Sequence, residues 1–137
     1  MADADGTPAE PEREPLTAAP CAWLTTLRRD GSAHVTPVWF LHDPGTFWIA
    51  SSTVNVKVAN IRRDPRVVLA IDGSGPRPVV AQGRARVHHD IGSYPTLLAR
   101  FAGKYGGWDA ADPRQDGPRV LLEVQVDRWL LGPGTAR

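Results

Sequence analysis

Apolar and polar positions alternate in short blocks along most of this chain, a pattern that predicts a mainly β protein. The apolar run Ala22 to Leu27 ends in Arg28-Arg29-Asp30-Gly31, and Asp-Gly between two strand-like runs marks a hairpin. The following run, Ala33 to Leu41, puts Val35, Pro37, Trp39 and Leu41 on one face and His34, Thr36, Val38 and Phe40 on the other, because successive strand side chains point to opposite sides. Both faces are therefore expected to be largely covered. A turn at Asp43-Pro44-Gly45 leads into a third strand, Phe47 to Ser51. At Ser52 the period changes: Val54, Val58 and Ile61 recur at helical spacing, Ser52 or Thr53 is available as a cap, and Asp64-Pro65 ends the segment. Val67 to Ile71 and Val79 to His88 are two further strands on either side of a Gly73-Ser74-Gly75-Pro76 loop. In the second of them Val79, Ala81, Gly83, Ala85 and Val87 form an inward face whose small residues permit close approach of another element. Ser93 is expected to cap a second helix with Pro95 in its first turn, an apolar stripe of Tyr94, Leu97, Leu98, Phe101 and Tyr105, and a stop at Gly106-Gly107. A polar loop from Trp108 to Pro118 precedes the last strand, Val120 to Val126.

Six strands and two short helices predict a closed antiparallel barrel, since closure removes exposed edges; a half-open sheet of five or six strands is the alternative. The 137 residues suit one domain. Residues 1–20 hold prolines at positions 8, 11, 15 and 20 and few large apolar groups. They are expected to be a disordered arm ahead of a barrel domain over residues 21–137.

Charge changes this picture little. The arm carries five acids against Arg13, a balance of −4, which leaves +5 for residues 21–137 given the overall +1. That excess suits an anionic small molecule and is far below what electrostatic binding of nucleic acid requires. Arg28, Arg29, Arg62, Arg63 and Arg66 lack the interleaved aromatic residues of a stacking platform, so no nucleic-acid partner is expected. The single cysteine, Cys21, excludes an intrachain disulfide, in keeping with a reducing compartment. No signal peptide or membrane span is visible, and the expected location is cytoplasmic with no membrane partner. His88 and His89 are adjacent on a strand and so point to opposite faces, which argues against a metal site. No nucleophilic triad, G-x-G-x-x-G or phosphate-loop motif is present.

Chemistry concentrates where the third strand passes into the first helix, at Ser51-Ser52-Thr53-Val54-Asn55-Val56-Lys57. A helix start offers free N–H groups and partial positive charge, hydroxyls add neutral donors, and Lys57 adds a point charge, a set that suits a phosphate. The same residues also fit a plain capped helix with a solvated lysine. Of the five tryptophans, Trp39 is the best candidate for the wall of a planar-ring site.

The ordered set Thr26 to Gly31, His34 to Phe40, Ala50-Ser51-Ser52 with Lys57, Asn60 to Val67, and Gln82 to Ala85 resembles the pyridoxamine 5′-phosphate oxidase-like split β-barrel family. Within it, the set is most similar to the short members that bind the deazaflavin coenzyme F420. The resemblance implies a six-stranded split barrel and a homodimer with cofactor sites at the subunit interface. It implies an oxidoreductase that transfers hydride between bound F420, or FMN, and a small organic substrate. The alternative is a non-catalytic flavin, F420 or haem carrier. The implied ring site comprises Thr36, Pro37, Val38 and Trp39 with Ile49, Ala50 and Ser51; the implied phosphate site comprises Ser51, Ser52, Asn55 and Lys57. The partner chain is expected to add contacts from Arg77, Pro78 or Val79. Tight FMN binders of the family carry another basic residue just before the lysine, where this chain has Asn55 and Val56. The longer C-terminal elements that grip pyridoxine phosphate are also lacking, so oxidation of pyridoxamine phosphate is not expected. No side chain is marked as a general acid or base.

Overall fold

The computed structural model describes residue 16 and residues 18–71 and 78–131. Seven antiparallel strands form one sheet: β1 (Ala22–Leu27), β2 (Ala33–Val38), β3 (Leu41–Asp43), β4 (Thr46–Ser52), β5 (Arg66–Ile71), β6 (Val79–His88) and β7 (Arg119–Leu131). Helix α1 (Val56–Arg63) follows β4, and a short 3-10 turn (Ile91–Ser93) leads into α2 (Pro95–Lys104) between β6 and β7. The strand order is β2-β1-β5-β6-β7-β4-β3.

That order fixes the shape. β2 and β3 stand at opposite ends of the sheet, yet only Trp39 and Phe40 separate them in sequence. A flat sheet of seven strands is about 29 Å across, whereas the link from Val38 to Leu41 spans at most about 11 Å. The sheet is therefore rolled until its two ends meet, with the Trp39–Phe40 corner as the seam. The single strand expected from Ala33 to Leu41 is in fact two, which is how six expected strands became seven.

The hairpin between β1 and β2 forms as Asp-Gly predicts. Gly31 takes φ 85°, and the Asp30 carboxylate accepts hydrogen bonds from the Ser32 backbone N–H (2.9 Å) and hydroxyl (2.6 Å). Pro37 is tolerated because β2 is an end strand. The two faces of β2 differ from expectation: Val35 is 51% exposed and Trp39, just past the strand, 45%. One face is thus open in the single chain.

The barrel interior holds Leu24, Val38, Phe40, Phe47, Ile49, Val58, Leu69, Val120, Leu122 and Trp129, among others. Leu16 and Ala19 belong to the same core, so the packed unit begins before residue 21. The rest of the expected arm, residues 1–15 and 17, and the expected loop Gly73 to Pro76 lie outside the described residues. A second apolar cluster, Leu41, Ile91, Leu97, Phe101, Ala110 and Leu121, seats α2 on the outside of the sheet. The helix starts differ from the sequence reading: Asn55, not Ser52 or Thr53, is at the cap position of α1, and Tyr94, not Ser93, is at that of α2.

β6 alternates as predicted, and its small inward face has a specific use. The pairing with β7 is irregular between Gln82 and Gly83, and a Cβ at Gly83 would collide with the Gln125 backbone carbonyl. Gly83→Ala is therefore expected to lower stability by about 1–3 kcal/mol through forced displacement of β7. Chemical unfolding checks this, and a change below about 0.5 kcal/mol would mean that β7 yields freely.

Candidate functional site

An open groove of about 270 Å³ lies where β2 ends and α1 begins. Pro37, Val38 and Trp39 reach it from β2 and the corner, Ala50 and Ser51 from β4, and Asn55 and Lys57 from the start of α1. Seven of the ten residues expected at a cofactor site are thereby brought together. The other three are elsewhere: Ile49 and Ser52 are fully buried, and Thr36 sits beside the groove without lining it.

Local bonding explains the shape of the helix start. Asn55 Oδ1 accepts from the Ser51 hydroxyl (2.5 Å) and the Ser52 N–H (2.9 Å), so its side chain ties helix to strand, and no side chain caps α1. The Ser52 hydroxyl donates to the Asp116 backbone carbonyl (2.5 Å), and the Thr53 N–H donates to Pro118 O (2.9 Å). Ser52 is thus the fastener of the 108–118 loop, and its hydroxyl does not face the groove.

Lys57 is half-buried, and among the described residues it makes no hydrogen bond or ion pair. Burial pushes its ammonium below the usual lysine range, Asp116 pulls it back up, and Arg119 pushes it down. An ammonium in this position lacks the acceptor that a partly desolvated cation needs. Two buried polar atoms that share a face of β2, His34 Nδ1 and Thr36 Oγ1, also have no hydrogen-bond partner among the described residues. Burial also lowers the His34 pKa, helped by Arg28 and Lys57.

Three lining residues escaped the sequence reading: Trp108, Asp116 and Arg119. Trp108 and Asp116 belong to the loop, and Arg119 enters through the β4–β7 register that sets it opposite Ser52. The i,i+3 spacing of Asp116 and Arg119 was the one available signal. Arg119 Nη1 pairs with Asp116 Oδ1 at 2.7 Å, its Nε donates to Ala110 O at 3.1 Å, and its guanidinium lies 5.7 Å from the Trp108 ring.

Trp39 is held by α2. Its ring stacks on Tyr105 at 4.4 Å and 5° and meets Trp108 edge-on at 5.0 Å. The Tyr105 hydroxyl accepts from the Phe40 N–H (2.9 Å) and donates to Pro20 O (2.9 Å) or Phe40 O (3.1 Å). Lys104 Nζ donates to Phe40 O (2.9 Å) and sits 3.8 Å above the Phe40 ring; burial pushes its pKa down to about 8. Arg77 lies outside the described residues, and Val79 is buried in the barrel core. No group of three or more His, Cys, Asp or Glu side chains able to hold a metal occurs among the described residues. No described helix is long and apolar enough to cross a membrane.

Residues 10–131 match the pyridoxamine 5′-phosphate oxidase family. The chain is 38% identical over 112 residues to an F420H(2)-dependent biliverdin reductase of Mycobacterium tuberculosis, a match that covers 80% of this chain and 77% of that protein. Among solved structures, an F420 reductase superposes with a TM-score of 0.72 at 23% identity, covering 88% of this chain and 98% of the other. A conserved hypothetical protein of Mycobacterium tuberculosis gives 0.72 at 23% identity, over 94% and 82% of the two chains. These two structural likenesses establish the rolled-sheet fold.

Tyr105→Phe is expected to cost about 1–3 kcal/mol, because the Phe40 N–H loses its acceptor at the seam. Trp39 should become more mobile with it, and unfolding curves together with tryptophan anisotropy read both effects.

Proposed function

Because this chain belongs to the pyridoxamine 5′-phosphate oxidase family, we propose that it is an F420-dependent oxidoreductase whose groove holds the deazaflavin along β2 and β4 with the phosphate at Lys57. The observation that carries this reading is the unpartnered Lys57 ammonium at an uncapped helix start, next to an apolar strip of Pro37, Val38 and Ala50. An anion fits that end, since it gives the ammonium a counter-charge and meets the partial positive charge of the helix. A flat ring fits the other, where Trp39 is already fixed by stacking. The name of the 38%-identical relative favours F420 over FMN. So does the absence of a second basic residue at Asn55 or Val56.

A bound reduced deazaflavin would supply the hydride. The chain's own residues place the ring and restrict water: Trp39, backed by Tyr105 and Trp108, bounds the groove, and Asn55 keeps the strand-to-helix turn in shape. None of the lining side chains is placed as a proton donor to a substrate, so the proton that accompanies the hydride comes from solvent. The acceptor class is a small conjugated or aromatic organic molecule.

The active unit is a homodimer in this reading. Trp23 (48% exposed) pairs with Pro37, and Thr25 pairs with Val35 (51% exposed), so these side chains form one outward apolar face. Val54 and Val56 are also exposed, at 71% and 53%. A contiguous apolar surface beside a groove marks an association site.

Lys57→Ala should weaken F420 binding more than tenfold, roughly the worth of one charge-assisted contact; an unchanged dissociation constant in fluorescence titration removes Lys57 from the site. Val35→Glu should yield a folded monomer that binds cofactor poorly. Sedimentation velocity reads the state, and a wild-type protein that is monomeric at micromolar concentration while binding F420 normally would refute the dimer.

A further inference from the structure

The groove contains a carboxylate next to its free cation, an arrangement that a general phosphate site would avoid. We infer that Asp116 is a charge filter, admitting a singly charged phosphodiester such as the tail linkage of F420 and disfavouring a doubly charged phosphomonoester such as that of FMN. The inference rests on the cofactor reading above and adds to it the residue that sets the choice.

Three observations carry it. First, among the described residues Lys57 is the one lining cation without a partner. Arg119 is committed to Asp116 at 2.7 Å and to Ala110 O at 3.1 Å, and its side chain is only 7% exposed. Second, the Asp116 carboxylate stays accessible, at 42% exposure, and its charge acts on the Lys57 ammonium. Third, its position is anchored: the Asp116 backbone carbonyl accepts from the buried Ser52 hydroxyl, Pro118 O two residues on accepts from the Thr53 N–H, and the carboxylate itself is paired with Arg119 at 2.7 Å. A ligand phosphate therefore meets a fixed set of Lys57, Arg119 and Asp116, whose formal charges leave one net positive charge.

A phosphodiester carries one negative charge at neutral pH and matches that set. A phosphomonoester, with a second pKa near about 6, carries nearly two and keeps one uncompensated beside Asp116. Because repulsion scales with ligand charge, Asp116 penalises the monoester about twice as much in free energy, and so by the square of the factor in affinity. Specificity then comes from a repulsive element, with no extra contact to the favoured ligand.

The test uses full-length protein and three probes: FMN, the monomethyl ester of FMN phosphate, and F420. FMN and its ester share ring and ribityl chain and differ by one charge. Wild-type protein should discriminate against FMN relative to its ester more strongly than the Asp116→Asn variant does. Asp116→Asn, which keeps the backbone carbonyl and the side-chain shape, should tighten the ester and F420 about threefold and FMN about tenfold, as expected for one removed charge at groove distances. Asp116→Glu should retain the wild-type preference, and Asp116→Ser carries the same comparison if the Asn variant does not fold. Equal changes for FMN and its ester would overturn the filter while leaving the cofactor site standing. Failure of wild-type protein to bind any of the three would overturn both.

Discussion

The structure depends on closing a seven-stranded sheet through two residues. Trp39 and Phe40 must carry the chain from one end of the sheet to the other, and a corner that tight needs its backbone polar groups satisfied where no ladder reaches them. Tyr105 and Lys104, at the end of α2, do this: the hydroxyl takes the Phe40 N–H and the ammonium takes the Phe40 carbonyl. Helix α2 is thereby more than a cover for the sheet. It locks the seam, and in doing so it fixes the Trp39 ring against Tyr105.

The groove follows from that closure. Pro37, Val38 and Trp39 come from one end of the strand order, and Ala50 and Ser51 come from a strand near the other. They share a groove only because the sheet is rolled. The same rolling brings the start of α1 to the groove with Lys57 unpaired, and the β4–β7 register delivers Arg119 with Asp116 in attendance. Function in this reading needs little from individual side chains beyond position: an apolar strip for a ring, a cation for a phosphate and a nearby carboxylate that limits how much charge the ligand brings. The exposed apolar face of β1 and β2 is the counterpart of the interior, and it is the face that the proposed dimer would cover.

Much of this was legible in the chain alone, because strand alternation, Asp-Gly turns and Pro-ended helical runs are local signals. The mainly β class, the strand-to-helix junction at Lys57 and the small inward face of β6 were all set by residues close in sequence, whereas the grouping of seven expected residues in one groove was implied only by the family resemblance. What the sequence could not settle required distant parts of the chain to meet. A break at Trp39–Phe40 is invisible in an unbroken apolar run, since only the rolled sheet demands it. Ser52 has the composition of a phosphate ligand, but its hydroxyl is spent on Asp116, 64 residues away. Trp108 and Asp116 lay in a stretch that reads as polar loop and Arg119 just after it, and Arg119 reaches the groove because β7 pairs with β4. Local patterning determined which residues form strands and helices; long-range pairing decided which of them face the same space, and with it the charge that a ligand encounters there.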